Sequence, residues 1–104
     1  MPDVTVDCPK LTFELGQTLA TPGALRVLER SGQTPDVFLD RHARGDWGDV
    51  CPEDGELNDR ALQDGSRLLS VYHTSQGTKL WIITEAIDES GHRAATTLLL
   101  PEEY

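Results

Sequence analysis

The chain has 104 residues, 38% of them hydrophobic, and 18 acidic against nine basic side chains give a formal net charge of −9. That length fits one domain, residues 1–104, with one modest core, because globular domains most often run about 100 to 150 residues. The charge repels polyanions and so disfavours nucleic acid as a partner; no apolar run reaches the roughly 18 residues of a membrane span, and Met1 to Lys10 lacks the charged head and apolar stretch of a signal peptide, so a soluble, cytoplasmic protein is expected.

Leu11 to Leu15 alternates Leu, Phe and Leu with Thr and Glu, the period of a half-buried strand. Thr21 then places an N-cap before Pro22, and Leu25, Leu28 and Gly32 complete a helix of about ten residues. The same grammar repeats with Thr34, Pro35 and Asp36, and runs through Val37, Phe38 and Arg41-His42 to Gly45. Pro52 to Asp64 holds Leu57, Ala61 and Leu62 at near-helical spacing, with Gly65 as a stop, and predicts a third helix. Cys8 and Cys51 stand in neither a CxxC nor a CxxxH spacing, so reduced thiols are expected rather than a disulfide, with no metal site and no cofactor.

The last third changes period. Arg67 to Thr74 and Lys79 to Ala86 are rich in β-branched and aromatic residues, and Ser75-Gln76-Gly77-Thr78 between them is a hairpin signal. Ala94 to Leu100 predicts a further strand that stops at Pro101. The class implied is α+β: about three short helices on one face of a three- to four-stranded antiparallel sheet that ends in a C-terminal β-meander.

A two-residue Gln76-Gly77 turn would pair Thr74 with Lys79, Tyr72 with Trp81, Ser70 with Ile83 and Leu68 with Glu85. Ser70, Tyr72, Lys79, Trp81 and Glu85 would then share a face turned away from the helices, a mixture of aromatic and polar groups suited to binding. As a purely structural feature, the same Tyr-Trp pair would steady the sheet by roughly 0.2 to 1 kcal/mol.

Arg41 to Asp49 gathers an imidazole, two guanidiniums, two carboxylates and an indole in nine residues. As a helix ending it is well formed: Arg41, His42 and Arg44 complement the macrodipole, Gly45 takes the left-handed position, and Trp47 packs back. As a site, His42 would be the acid or base, Arg41 or Arg44 would bind an anion, and Asp46 would orient the imidazole. No nucleophile stands beside His42, so Ser70 or Cys51 would have to reach it across the fold. A metal site from His42, Asp46, Asp49 and His73 lacks any diagnostic spacing, and no Gly-rich phosphate loop is present.

Gly16, Thr21 to Leu25, Arg41-His42, Gly45 to Gly48, Glu53-Asp54, Asn58, Ser70 to Tyr72, Leu80 to Ala86, Thr96-Thr97 and Leu100 to Tyr104 carry a resemblance over nearly the whole chain. On these motifs the protein resembles a family of small bacterial, often plasmid-related, proteins of unknown function. In that family's pattern a short Asp-Arg-Ser link joins the last two strands, whereas Ile87 to Ala95 makes it longer here. At the level of fold order it is also similar to the small RNases and toxins of the barnase, colicin and RelE-like group. That likeness would make His42 the acid/base, Lys79 or Arg41 the phosphate binder, and Ser70, Tyr72 and Thr97 hydrogen-bonding partners.

Fold order alone carries no activity, and the charge opposes RNA. The first reading is therefore a noncatalytic interaction or ligand-binding module linked to mobile elements, with an unknown protein or small ligand as partner. Its contact residues would be Arg41, Asp46, Trp47, Ser70, Tyr72, Trp81 and Glu85. The alternatives are an RNase using His42, Lys79 and Thr97, and an acidic inhibitor that mimics nucleic acid.

Overall fold

Among the described residues three α-helices and a short 3-10 helix (Pro101–Glu103) each open on a proline, where the missing N–H costs nothing because the first helical turn has no acceptor for it. The computed structural model describes residues 13–104. In α1 (Pro22–Ser31) the Thr21 hydroxyl accepts from the Ala24 N–H at 3.2 Å, and Gly32 closes the helix in the left-handed region. Helix α2 (Pro35–Ala43) follows Thr34, whose side chain makes no capping bond, and runs out through Arg44 into Gly45 at φ 86°. Helix α3 (Pro52–Asp64) starts after Cys51 and stops at Gly65, also left-handed. Cys8 lies outside the described residues.

Strands β1 (Gln17–Ala20), β2 (Leu68–His73), β3 (Lys79–Thr84) and β4 (Ala95–Leu99) form one sheet in the order β1-β4-β3-β2. The class is α+β, but the sheet is mixed rather than antiparallel: β2, β3 and β4 make the expected meander, while β1 runs parallel to β4. Alternation in a sequence reports a strand and not the direction of its neighbour.

The first strand is also displaced from the expected Leu11 to Leu15. Residues 11 and 12 lie outside the described part, and Phe13 to Gly16 is not strand. Gly16, at φ 67°, turns the chain so closely past the next segment that a Cβ there would lie 2.3 Å from the Arg93 carbonyl oxygen, and pairing begins only beyond it.

The hairpin register differs by one residue from the expected one. Thr74 N–H donates to Thr78 O at 2.9 Å, Gly77 N–H to Thr74 O at 2.8 Å, and Gly77 is left-handed. The loop is thus three residues, Ser75-Gln76-Gly77, a turn followed by a left-handed glycine. His73 pairs with Lys79, Val71 with Trp81, and Ser70 with Ile82. Since side chains alternate, one added loop residue exchanges the faces. Tyr72 and Ser70 now point to the helices, and Trp81 and Lys79 away from them.

Tyr72, Leu80, Ile82 and Leu98 meet Ala24, Leu28 and Phe38 in the main core. Burying each large apolar side chain there contributes roughly 1.5 to 3 kcal/mol. A second cluster, Trp47, Ala61 and Leu68 with Phe13, Val50 and Leu62, lies under α3. Among the described residues no helix is long and apolar enough to cross a membrane.

Candidate functional site

His42 is 0% exposed, and both ring nitrogens meet hydroxyls: Nδ1 lies 2.5 Å from Ser70 Oγ and Nε2 lies 2.8 Å from Thr84 Oγ1. Thr84 Oγ1 lies 2.8 Å from Thr96 Oγ1, which donates to Leu15 O at 2.7 Å. The direction of the whole chain follows from its last acceptor. A carbonyl only accepts, so the Thr96 proton is committed to Leu15 and Thr84 must donate to Thr96. The Thr84 oxygen then accepts from Nε2–H, which leaves Nδ1 to accept from Ser70. Burial, with the nearby Arg93 charge, lowers the His42 pKa to about 4, so the imidazole is neutral near pH 7.

A buried serine donating to a histidine resembles half of a hydrolytic dyad, but no substrate atom reaches it. Ser70, Thr84 and Thr96 are all fully buried. The network links α2 to β2, β3 and β4 and satisfies polar groups that would otherwise be costly inside the core. Of the residues required for RNA cleavage, Lys79 is exposed and Thr97 half-buried, both on the sheet face opposite His42. The residue joined to His42 through Thr84 is Thr96 rather than Thr97. His42, Lys79 and Thr97 therefore share no cleft, because alternation sends neighbouring threonines to opposite faces.

The rest of the 41–49 segment dresses the β2 edge. Arg41 Nε pairs with Asp46 Oδ2 at 2.8 Å, and its guanidinium lies 4.6 Å from the centroid of the Tyr72 ring. That pairing holds the Asp46 carboxyl below its usual range and raises Arg41. The Tyr72 hydroxyl donates to the Asp46 carbonyl, and burial pushes its pKa up to about 12. Trp47 Nε1 donates to Asp59 Oδ1 at 3.1 Å, with its ring beside Phe13 and His42.

So held, the segment bonds to β2. Val71 N–H donates to Trp47 O at 3.1 Å, and Asp49 N–H to Val71 O at 2.6 Å. Asn58 on α3 continues the seal: its amide donates to Leu69 O at 2.7 Å and accepts from Leu69 N–H at 3.1 Å. His73 Nδ1 lies 2.7 Å from Asp49 Oδ2 on the surface, far in role from the buried His42. Among the described residues no cluster of His, Cys, Asp and Glu could hold a metal ion.

Of the seven expected contact residues, Trp47, Ser70 and Tyr72 are buried, Arg41 and Asp46 are exposed but engaged with each other, and Trp81 and Glu85 remain accessible. Tyr72 and Trp81, expected side by side, occupy opposite faces for the register reason given above. Around Trp81 the face opposite α1, α2 and α3 carries Leu69, Val71 and Thr97, all half-buried, together with the buried Ile83 and Leu99. Tyr104 sits 5.7 Å from the Trp81 ring, and its hydroxyl accepts from Arg67 at 2.8 Å.

Sequence reasoning missed two residues that hold these parts together. Arg93 is almost fully buried and donates to the carbonyls of Ser66, Glu85 and Ala61, stapling the end of α3 to the end of β3. Nothing in its surroundings, an irregular polar link, signals such burial. Glu103 accepts from the Thr21 hydroxyl at 2.5 Å and the Leu100 N–H at 3.0 Å, beside Gly23, where a Cβ would collide with it. Its carboxylate thus sits at the α1 N-terminus, whose partial positive charge favours it. No family model, curated protein or solved structure matches this chain.

Proposed function

We propose that the protein is a noncatalytic interaction module, and that it contacts a protein partner through the sheet face opposite α1, α2 and α3. The observation that carries this reading is the hairpin register, which turns Trp81 and Val71 to the face opposite α1, α2 and α3, where the Trp81 ring meets Tyr104 just beyond the short 3-10 turn Pro101–Glu103. A sheet face normally buries its apolar side against another layer, and an aromatic pair with an arginine at its edge is the composition that contact surfaces favour. The sealed, neutral His42 supports a scaffold role for the 41–49 segment. The link to mobile elements rests on the resemblance of the chain's motifs to plasmid-related bacterial proteins.

The test is photocrosslinking in the cell that makes the protein, with p-benzoylphenylalanine at position 81 and, as control, at the exposed Glu56 of α3. Position 81 is expected to give an adduct of one discrete mass, lost when Val71→Lys is added. Identical products from both positions, or no adduct from position 81, would remove the reading.

A further inference from the structure

The β1 edge differs from the β2 edge in meeting no backbone partner among the described residues. Gln17 N–H donates to Ala94 O and Thr21 N–H to Leu98 O, each at 3.0 Å. Strand alternation then turns the N–H and C=O groups of Thr18 and Ala20 away from β4. Among the described residues β1 pairs with β4 alone. Two hollows follow this edge and share Thr18, Asp36 and Leu39: one of about 510 Å³ reaching Val37 and Asp40, and one of about 190 Å³ reaching Ala20. They form one groove between β1 and α2. Its floor is apolar, Val37 is 47% exposed, and its helical wall carries Asp36 and Asp40 one turn apart. Asp40 is paired with Arg44 at 2.6 Å, whereas Asp36 has no ion pair among the described residues.

We propose that this edge and groove take an extended, basic segment of a partner protein by strand addition. The partner's main chain bonds Thr18 and Ala20, alternate apolar side chains enter the groove over Leu39, and a lysine or arginine meets Asp36. An extended chain is the occupant that supplies donors and acceptors at strand spacing with side chains falling on one face at every second residue. Basic character follows from Asp36 on the groove wall and from the net charge of −9, which concentrates cations at the surface. A second copy fits poorly. Edge-to-edge pairing would set Gln17–Ala20 against itself, bring no cation to Asp36, and join two molecules of the same negative charge. The inference builds on the interaction-module reading but uses a surface other than the Trp81 face, so crosslinking at position 81 and peptide binding at β1 succeed or fail separately.

The probe is an end-blocked heptapeptide, Val-Thr-Lys-Thr-Val-Thr-Lys, whose valines and lysines fall on one face of a strand, titrated into the full chain with backbone amide NMR and hydrogen exchange as readouts. Saturable shifts and slowed exchange at Thr18 and Ala20 are expected, with affinity about tenfold weaker or worse when glutamate replaces each basic residue. Asp36→Asn is expected to weaken binding about three- to fivefold. Thr18→Pro removes an outward N–H while sparing the bonds to β4, and should abolish binding with the spectrum otherwise preserved. The proposal is overturned by equal affinity for the glutamate peptide, by undiminished binding to Thr18→Pro, by protection elsewhere than β1, by concentration-dependent dimerisation through Thr18 and Ala20, or by no saturable shift at millimolar peptide.

Discussion

The two edges of the sheet are treated in opposite ways by the same chain. At β2 every outward backbone group of Leu69 and Val71 is taken, by the Asn58 amide and by the Trp47 to Asp49 segment. At β1 the corresponding groups of Thr18 and Ala20 meet no partner among the described residues. Sealing an edge takes residues fitted to that one task, and here they include the Gly-Asp-Trp-Gly run that first looked like a reactive site. An edge left unpaired beside a groove is the expected arrangement where pairing is reserved for another chain.

The largest effect is expected from breaking the seal at Gly48. Its φ of +74° suits glycine, and a Cβ would lie 2.1 Å from the Val71 carbonyl oxygen. Gly48→Ala should lose roughly 3 to 5 kcal/mol of stability in urea unfolding and speed hydrogen exchange at Val71. A loss below about 1 kcal/mol would mean that the 47–49 segment does not depend on this approach. Asn58→Ala, which strands the Leu69 N–H and C=O, should cost about 2 to 3 kcal/mol in the same assay; an unchanged midpoint would show that water replaces the amide.

The hydroxyl chain from Ser70 through His42 to Leu15 runs inside the sheet from the sealed side toward the strand at the open one, and its weak point is protonation. With the folded His42 near 4 and the unfolded near 6.5, the unfolded chain binds more protons between those values. Stability is therefore fully present above about pH 6.5 and is lost as the pH falls toward 4. Between pH 7.5 and pH 4.5 the wild type should lose about 2 to 3 kcal/mol more than His42→Asn, read as the difference between the two urea curves. Parallel pH profiles for the two proteins would refute the assignment.

The smallest change is also the sharpest contrast. Thr18→Pro should alter stability by less than about 1 kcal/mol, while Val71→Pro, which removes the N–H bonded to Trp47, should cost about 3 kcal/mol or more. Equal costs at both positions would erase the distinction between the edges.

Local chemistry made much of this legible. The three helices lie where proline, threonine and glycine punctuation put them, and Arg44 and Gly45 end α2 as its charge pattern implied. The strands of the C-terminal meander were equally visible in their β-branched runs. The candidate site was not. Ser75-Gln76-Gly77 can turn with two or three residues in the loop, and that single choice decided whether Tyr72 joined Trp81 on the outer face or faced the helices.

The sequence by itself thus determined the elements and their ends, because capping, proline and periodicity act within a few residues. The tertiary structure alone decided that β1 joins β4 in parallel, that His42 closes a hydroxyl chain with Ser70, Thr84 and Thr96, and that Arg93 and Asn58 spend their polar groups on distant backbone. Those contacts join residues many positions apart, and long-range pairing is fixed by which buried polar groups and apolar faces can be satisfied together rather than by any local pattern.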